Sequence, residues 1–511
     1  MRPDMSQYGN ARLSHLLEGL TVFDQDLDCD IGALSLDSRE VKKGGLFLAC
    51  AGTQGHGIDY LPQAFAAGVA AVAWEPTAEY RELPEAVSVS VNVPMIAVND
   101  LTQQAGFIAD RFYGHPSRDL RVIGITGTNG KTSCCHFLAG ALREEGQDVG
   151  VIGTLGYGLS ATLDTASHTT PDAVRVHELL ASMRQQGARY VVMEVSSHGL
   201  DQGRVNGVCF EVAVLTNVTR DHLDYHMTVE AYASAKARLF SMPGLQAIIL
   251  NEDDDYGHRW SQELQSDRKL MTYRKKSGRV SASSMVLEFS NVQLSHDGVQ
   301  WTASSPWGEA SLSSKMFGDF NVYNLAAVLT TLSALGMSWN EACERIKTLT
   351  TPPGRMEFYR SHNEQMPLVV IDFAHTPDAL EHVLQALKGH EFGRIWCVFG
   401  CGGDRDKGKR SLMGGVAESL ADQVVITDDN PRTESADAIV RDILEGIKSK
   451  DLIHVERDRQ QAIAWAVGHA RDNDVVLVAG KGHEEYQWIG DVKHPYSDKA
   501  VVESLLTGGL H

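Results

Sequence analysis

The 511-residue chain is poor in cysteine: it has eight, Cys134 and Cys135 are adjacent, and no CxxC pair occurs. That usage excludes a disulfide framework and a thiolate metal site, and it fits a reduced compartment. No run of about 18 or more uninterrupted apolar residues exists, so a transmembrane helix is excluded. The start, Met1-Arg2-Pro3-Asp4, lacks the basic-then-apolar run and small-residue cleavage site of a secretory signal. The cytoplasm is therefore the expected location. Basic residues are outnumbered by acidic ones, 46 against 66, for a formal net charge of −20. Such a surface does not hold nucleic acid or an anionic membrane nonspecifically, although a local basic pocket can still grip phosphate. Short repeats and low-complexity tracts are also missing. What is present is an ordinary globular balance, 43% hydrophobic and 22% charged, which removes disordered and fibrous classes. At roughly 100–200 residues per domain, this length predicts about three domains.

The expected blocks are 1–118, 119–352 and 353–511. In the first, residues 44–52 and 69–74 read as buried strands flanking a helix over 60–67, and His115-Pro116-Ser117 is a plausible joint. From Arg121 a βαβ rhythm sets in, with apolar strands at 121–126, 190–195, 212–217 and 247–251 and a helix from Lys131 to about Glu145. Short apolar runs alternating with helices predict a mostly parallel sheet covered on both faces. A more alternating stretch over 284–314 predicts antiparallel strands. Thr351-Pro352-Pro353-Gly354 is the clearest linker, because consecutive prolines end a helix. A second α/β series follows, with strands at 368–372, 395–399, 423–427 and 475–479.

The strongest chemical signal is Gly124-Ile125-Thr126-Gly127-Thr128-Asn129-Gly130-Lys131-Thr132-Ser133. A strand enters a glycine-rich turn and Lys131-Thr132 opens a helix. Glycines let successive N–H groups curl around one anion, the helix N-terminus adds partial positive charge, Lys131 supplies a full one, and the Thr132 hydroxyl suits Mg²⁺. Ile125 stands where a strict GxxxxGK[ST] pattern has its first glycine, and a turn without ligand is the bland alternative. Parallel sheets keep their chemistry at strand carboxyl ends. Two polar clusters fall there: Glu194-Val195-Ser196-Ser197-His198, and Asn217 followed by Thr219-Arg220-Asp221-His222-Leu223-Asp224-Tyr225-His226. Alone each reads as loop polarity; beside a phosphate loop they read as contacts to Mg²⁺ and γ-phosphate.

Residues 126–132, 194–198 and 221–226 together resemble the Mur ligase family, the ATP-dependent amide-bond synthetases of peptidoglycan precursor assembly. Gly318-Asp319-Phe320-Asn321-Val322-Tyr323-Asn324, Pro353-Gly354-Arg355-Met356-Glu357 and Asp372-Phe373-Ala374-His375-Thr376-Pro377 agree, and the similarity runs from about residue 34 to about 490. The resemblance implies an α/β protein of three domains: a smaller N-terminal UDP-substrate domain, a central P-loop ATPase with a mostly parallel sheet, and a C-terminal Rossmann-like amino-acid domain. It implies a carboxylate activated by ATP to an acyl phosphate and then attacked by an amine. ATP contacts would come from Gly127, Thr128, Asn129, Gly130, Lys131, Thr132, Ser133, Asn321, Asn324, Arg355 and Asp372. Thr132 and Glu194 would hold one Mg²⁺, His222 would help hold a second, and a CO₂-derived carbamate on Lys236 would support Mg²⁺, with Lys131, Lys236 and His222 catalytic. Carbamylation requires a neutral amine, which burial favours. Without the resemblance Lys236 reads as a solvated helix lysine, and Asn321 and Asn324 as solvent-facing.

By the same mapping, Leu36, Ser38, Thr53, Gln54 and Gly55 would contact the uridine part of the substrate. His168, Thr169, Thr170, Ser196, Gln202 and Arg204 would hold its muramoyl-peptide part. Thr53 stands where the family commonly has histidine, and His168 where it often has asparagine. Asp429-Asn430-Pro431-Arg432 resembles the signature of the branch that adds meso-diaminopimelate to UDP-N-acetylmuramoyl-L-alanyl-D-glutamate. The chemistry fits, since diaminopimelate differs from lysine by a second carboxylate that a guanidinium can grip, and a buried Arg432 left unpaired by lysine would impose a penalty of several kcal/mol. A plain Asn-Pro turn is the other reading. Arg405, Gly480 and Glu484 would complete that pocket, with Glu484 facing an ammonium. The lysine-adding sister enzyme, folylpolyglutamate synthase and a nonenzymatic nucleotide-binding regulator are the alternatives. A monomer is expected, acting on small-molecule partners with no nucleic acid and no membrane.

Overall fold

A computed structural model of the chain describes residues 11–507 apart from 53–54, 84–92, 167, 265–267, 277–280, 282, 362–364 and 450–452. The chain packs as two compact units, Met1–Leu287 with Ala327–Ser338, and Glu288–Ala326 with Trp339–His511.

The first unit begins with a four-stranded parallel sheet, in spatial order β1 (Leu34–Ser35), β2 (Leu46–Ala49), β3 (Ala71–Trp74) and β4 (Met95–Ala97). β2 and β3 are buried throughout, which is why they read as unbroken apolar runs. Helix α1 (Leu101–Phe112) follows. The larger sheet is built from β5 (Arg121–Thr126), β6 (Gly150–Gly153), β7 (Gly156–Leu159), β8 (Thr162–Asp164), β9 (Tyr190–Glu194), β10 (Phe210–Leu215), β11 (Ala247–Asn251) and β12 (Lys269–Lys275). Helices α2 (Lys131–Leu142), α3 (Ala173–Gln185) and α4 (Val229–Ala237) accompany it. The spatial order is β8-β7-β6-β9-β5-β10-β11-β12, parallel except for the antiparallel β6-β7-β8 edge. Because β5 lies between β9 and β10, the turn after Thr126, Glu194 and the residues after Leu215 share one carboxyl edge. Ile108 and Phe112 of α1 enter one core with Val174 and Ala181 of α3, so the first expected block packs together with the part of the central block that lies in this unit.

In the second unit, β13 (Val286–Ser295), β14 (Gly298–Ser305) and β15 (Gly308–Ser314) pair antiparallel, as the alternating pattern over 284–314 predicts. Helix α5 (Phe320–Ala334) follows, its residues up to Ala326 belonging to this unit and those from Ala327 to the first. A six-stranded sheet is formed by β16 (Glu357–Tyr359), β17 (Leu368–Asp372), β18 (Ile395–Phe399), β19 (Gln423–Ile426), β20 (Ile453–Val455) and β21 (Val475–Ala479). Its order is β16-β17-β21-β18-β19-β20, parallel apart from β16. β17, β18 and β21 are buried along their whole length, and their carboxyl ends lead into the Asp372, Gly402 and Gly480 segments.

One of these ends is held by a buried ion pair. Arg459 and Asp498 open α6 (Arg459–His469) and α7 (Asp498–Leu506), and both side chains are fully buried. Arg459 Nε and Nη2 donate to the two Asp498 carboxylate oxygens at 2.7 and 2.8 Å, and Nη2 also donates to the Ala479 carbonyl at 3.0 Å. Removing one partner leaves a buried charge uncompensated. Asp498→Asn is therefore expected to destabilise the second unit by about 3–5 kcal/mol in urea unfolding; a loss below about 1 kcal/mol would show that the pair is not structural.

Candidate active site

The turn between β5 and α2 is shaped by contacts that only glycine at 127 allows. Gly127 has φ 151°, and a Cβ there would lie 1.9 Å from Thr216 Oγ1. Asn217 fastens the turn: its carbonyl accepts from Thr128 N at 2.8 Å and its Oδ1 from Asn129 N at 2.9 Å. Thr128 Oγ1 accepts from Thr219 N at 2.9 Å and pairs with the Tyr232 hydroxyl at 3.1 Å. Lys131 Nζ folds back to donate to the Gly127 and Thr128 carbonyls at 2.7 and 2.8 Å. Ser133 follows in the first turn of α2.

Lys236 of α4 reaches the same place. Its amine donates to the Gly127 carbonyl at 2.8 Å and lies 4.3 Å from the Tyr232 ring centroid. The residue is buried, not the solvated helix lysine of the bland reading. Burial first, and the neighbouring Lys131 charge second, push its pKa well below the ordinary lysine value. The same burial raises the Tyr232 phenol to about 12.

Glu194, at the end of β9, is buried with both oxygens committed. Oε1 accepts from Thr154 N at 2.8 Å, while Oε2 accepts from the Thr132 hydroxyl at 2.9 Å and the Thr154 hydroxyl at 3.3 Å. This is a hard oxygen set of the kind Mg²⁺ takes alongside phosphate and water. His222 is half-exposed, in left-handed backbone with φ 51°, its Nε2 3.5 Å from Asp221. Its ring lies 4.8 Å from that of His198. Among the described residues, no group of three or more His, Cys, Asp or Glu side chains is placed to hold a metal by itself. The donors therefore suit an ion held largely by its phosphates.

The muramoyl-peptide candidates join this network. The Thr170 hydroxyl donates to the Glu194 carbonyl at 2.9 Å and accepts from Ser196 N at 2.9 Å. Thr169 Oγ1 lies 3.0 Å from Thr154 Oγ1. Arg204 donates to the Thr170 carbonyl at 2.7 Å and to Gln202 Oε1 at 2.7 and 3.0 Å, and burial lowers its pKa. His168 is exposed, its backbone N–H donating to the Tyr157 hydroxyl at 3.0 Å. The uridine candidates lie apart, on the four-stranded sheet: Leu36 packs on its core, Ser38 Oγ donates to Gln63 Oε1 at 2.8 Å, and Gly55 is exposed. Thr53 and Gln54 lie outside the described residues.

In the second unit, Asn321 and Asn324 are both buried, contrary to the solvent-facing reading. Asn321 Nδ2 donates to the Phe317 carbonyl at 2.8 Å, and Asn324 Nδ2 to Asn321 Oδ1 at 3.2 Å. Asp372 is buried at the end of β17, accepting from Met356 N and Ala374 N at 2.8 Å each. Burial raises its pKa, and the nearby Arg355 opposes the shift. The Arg355 guanidinium lies 4.9 Å from the Phe373 ring.

The diaminopimelate candidates form a second cluster at the ends of β19 and β21. Gly480 has φ 114°, donates to the Asp372 carbonyl at 3.0 Å, and brings its backbone against Asp429, whose Oδ2 would sit 3.4 Å from a Cβ there. Asn430 Nδ2 donates to Glu484 Oε2 at 3.0 Å. Pro431 is buried. Arg432 also takes left-handed backbone, φ 52°, held by its N–H on the Trp488 carbonyl at 2.9 Å. Its Nη1 donates to the Gly403 carbonyl at 2.6 Å and its guanidinium lies 5.2 Å from the Trp488 ring. Arg432 is half-buried, not buried, so the penalty on a lysine substrate is smaller than full burial would give. Arg405 is exposed on the neighbouring loop. That loop and the Arg432 loop are tied together through buried Arg410, which donates to Glu434 at 2.7 and 2.9 Å, to Asp442 at 2.7 Å and to the Gly402 carbonyl at 3.2 Å. Thr154, Tyr232, Arg410, Lys481 and Trp488 contact the candidate residues and were not singled out from the sequence; only the Gly480-Lys481-Gly482 run carried a visible signal.

Comparison with known proteins gives three family matches along the chain. Residues 30–113 match the Mur ligase family catalytic domain, 125–332 the Mur ligase middle domain, and 354–482 the Mur ligase glutamate ligase domain. A UDP-N-acetylmuramoyl-L-alanyl-D-glutamate–2,6-diaminopimelate ligase of Pseudomonas aeruginosa is 47% identical over 94% of this chain and 96% of its own. The enzyme of that name from Coxiella burnetii is 45% identical over 94% of this chain and 96% of its own. A solved structure of a ligase of that name superposes with a TM-score of 0.72 at 35% identity, covering 97% of this chain and 99% of that one. A Mycobacterium tuberculosis folylpolyglutamate synthase shares the fold at 18% identity with a TM-score of 0.57, covering 73% of this chain and 91% of its own. By sequence, segment order and fold, the chain belongs to the Mur ligase family.

Proposed function

We propose that the chain is an ATP-dependent ligase joining meso-2,6-diaminopimelate to UDP-N-acetylmuramoyl-L-alanyl-D-glutamate in peptidoglycan precursor synthesis. The observation that carries the reaction class is the meeting of Lys131, Lys236 and the Thr132–Glu194 pair at one sheet edge. The choice within the family rests on Arg432 in Asp-Asn-Pro-Arg and on relatives of that name at 45–47% identity. The folylpolyglutamate synthase likeness extends to the fold alone.

A glutamyl carboxylate oxygen attacks the γ-phosphorus of ATP and ADP leaves; the amine then attacks the acyl carbon, phosphate departs, and the amine loses a proton. Two anions approach in the first step, so fixed positive charge is the main requirement. Lys131 supplies it at the phosphates. Arg204, tethered to Thr170 and Gln202, is positioned for an anionic part of the peptide substrate. Magnesium, when bound, would neutralise phosphate charge, with Thr132 and Glu194 as protein donors to one ion and His222 to a second. Burial favours the neutral amine of Lys236, the form that can add CO₂ with loss of a proton, and the resulting carbamate would be a further anionic donor for magnesium. Asn321, Asn324, Arg355 and Asp372 serve the nucleoside of ATP. The blocks 1–118, 119–352 and 353–511 take the UDP-substrate, ATP and amino-acid roles, a division supported by the positions of the three family matches. No helix of the described residues is long and apolar enough to cross a membrane. We read the protein as a cytoplasmic monomer.

Phosphate release with ATP, magnesium and the UDP-muramoyl-dipeptide tests the reading. Diaminopimelate should be required and lysine or glutamate ineffective; equal turnover with lysine would transfer the assignment to the sister enzyme. Lys236→Ala should lose about 100-fold or more of kcat and recover partly with added short carboxylates. Because the Lys236 pKa is depressed, its amine is neutral above that value and protonated below it. Bicarbonate stimulation of the parent should therefore fade as pH falls, and an untreated Lys236→Ala of full activity would remove the carbamate from the account. Arg432→Ala should raise the diaminopimelate KM by about 10–100-fold, the worth of a charge-assisted hydrogen bond, and leave the ATP KM within about twofold. Equal loss of both would contradict its role.

A further inference from the structure

Lys481 follows β21, between two glycines, and its side chain is fully buried. Its ammonium donates to Asn430 Oδ1 at 2.9 Å, Asp429 Oδ1 at 3.2 Å and Glu484 Oε2 at 3.3 Å. A strongly hydrated point charge is stable in such a place only when oxygens replace its water, and here three side chains do so. All three belong to the set proposed above for diaminopimelate.

Two consequences follow for that set. The first is orientation. Asn430 Oδ1 accepts from both Lys481 and Trp488 N, the latter at 2.8 Å, which turns its NH₂ group onto Glu484 Oε2. Glu484 Oε2 is thereby occupied twice, whereas Oε1 has the Tyr486 hydroxyl only at 3.5 Å. Oε1 is the oxygen left to receive a ligand's ammonium.

The second is charge. Among the buried and half-buried groups, Asp429, Glu484, Lys481 and Arg432 balance to neutrality, with Arg405 exposed on the neighbouring loop; without Lys481 this inner group carries one excess negative charge. The far end of diaminopimelate has a carboxylate and an ammonium and is neutral, whereas the far end of lysine is a bare ammonium. A neutral cluster suits the first, and an anionic cluster suits the second.

We infer that Lys481 is a positioning residue that sets amino-acid selectivity, holding Asn430 and Glu484 in place and cancelling one carboxylate so that a zwitterionic side-chain end is preferred over a cationic one. This rests on the diaminopimelate reading. The test is steady-state kinetics of the full chain and its Lys481→Met and Lys481→Gln variants, with diaminopimelate and lysine as competing amines. For Lys481→Met, the diaminopimelate KM should rise by about 30-fold or more and the diaminopimelate-to-lysine ratio of kcat/KM should fall by about tenfold or more, with the ATP KM within about twofold. Lys481→Gln keeps a donor for Asn430 but no charge; it should recover part of the KM while the ratio stays low. Thermal protection by ATP reports whether each variant folds, and if Lys481→Met does not, Lys481→Gln decides. A ratio equal to the parent's in a folded variant overturns the inference. A parent that does not use diaminopimelate instead overturns the reading beneath it.

Discussion

The arrangement depends on one electrostatic constraint: a carboxylate must be brought against a polyphosphate, and like charges resist. A protein with a net charge of −20 meets this locally, not through its overall field. Lys131 is tied to the carbonyls of its own turn, so its charge is fixed in direction before any ligand arrives. Lys236 shares the Gly127 carbonyl with it, and two ammonium groups so close would repel. Burial of Lys236 eases this, because it pushes the pKa of its amine well below the ordinary lysine value and so favours the uncharged form. The same burial favours the unprotonated form, a consequence of the packing of α4 against the turn.

Glu194 answers the constraint from the other sign. A buried carboxylate next to a phosphate site is unfavourable unless a cation joins it, yet here it is satisfied meanwhile by two hydroxyls and a backbone N–H. Those partners hold it at the end of β9 whether or not a cation is present. In the second unit the loops beyond β18, β19 and β21 are long and polar, and buried cations give them shape. Arg410 ties Gly402 to Glu434, Arg459 anchors the end of β21, and Lys481 gathers Asp429, Asn430 and Glu484. Each is a cation whose partners lie on different segments, so the cluster at these strand ends is set by long-range charge, not by local turn preference.

That division explains what could be read from the amino acids in advance. The β5 turn was legible because glycines, Lys131 and Thr132 are adjacent in sequence and each has a local physical reason to be there. β17, β18 and β21 were legible because strands buried on both faces read as plain apolar runs. The burial of Asn321 and Asn324 was not legible, since it is decided by partners such as Phe317 and by packing that a helical pattern does not encode. Nothing local to Tyr232 marks it; only the tertiary fold brings it under Lys236 and against Thr128. Lys481 sits in a visible glycine run, but its three partners lie 3, 51 and 52 residues away, so nothing nearby announces its burial. The joining of the first expected block to the central one through α1 and α3 was equally hidden, because Val174 and Ala181 look like any apolar helix positions.

The central claim is that the substrate carboxylate itself takes the phosphoryl group. Its most direct test uses UDP-muramoyl-dipeptide whose glutamyl carboxylates carry ¹⁸O. Transfer through an acyl phosphate predicts that each phosphate released during amide formation contains one ¹⁸O drawn from the peptide. Amide formation accompanied by phosphate free of label would contradict the account.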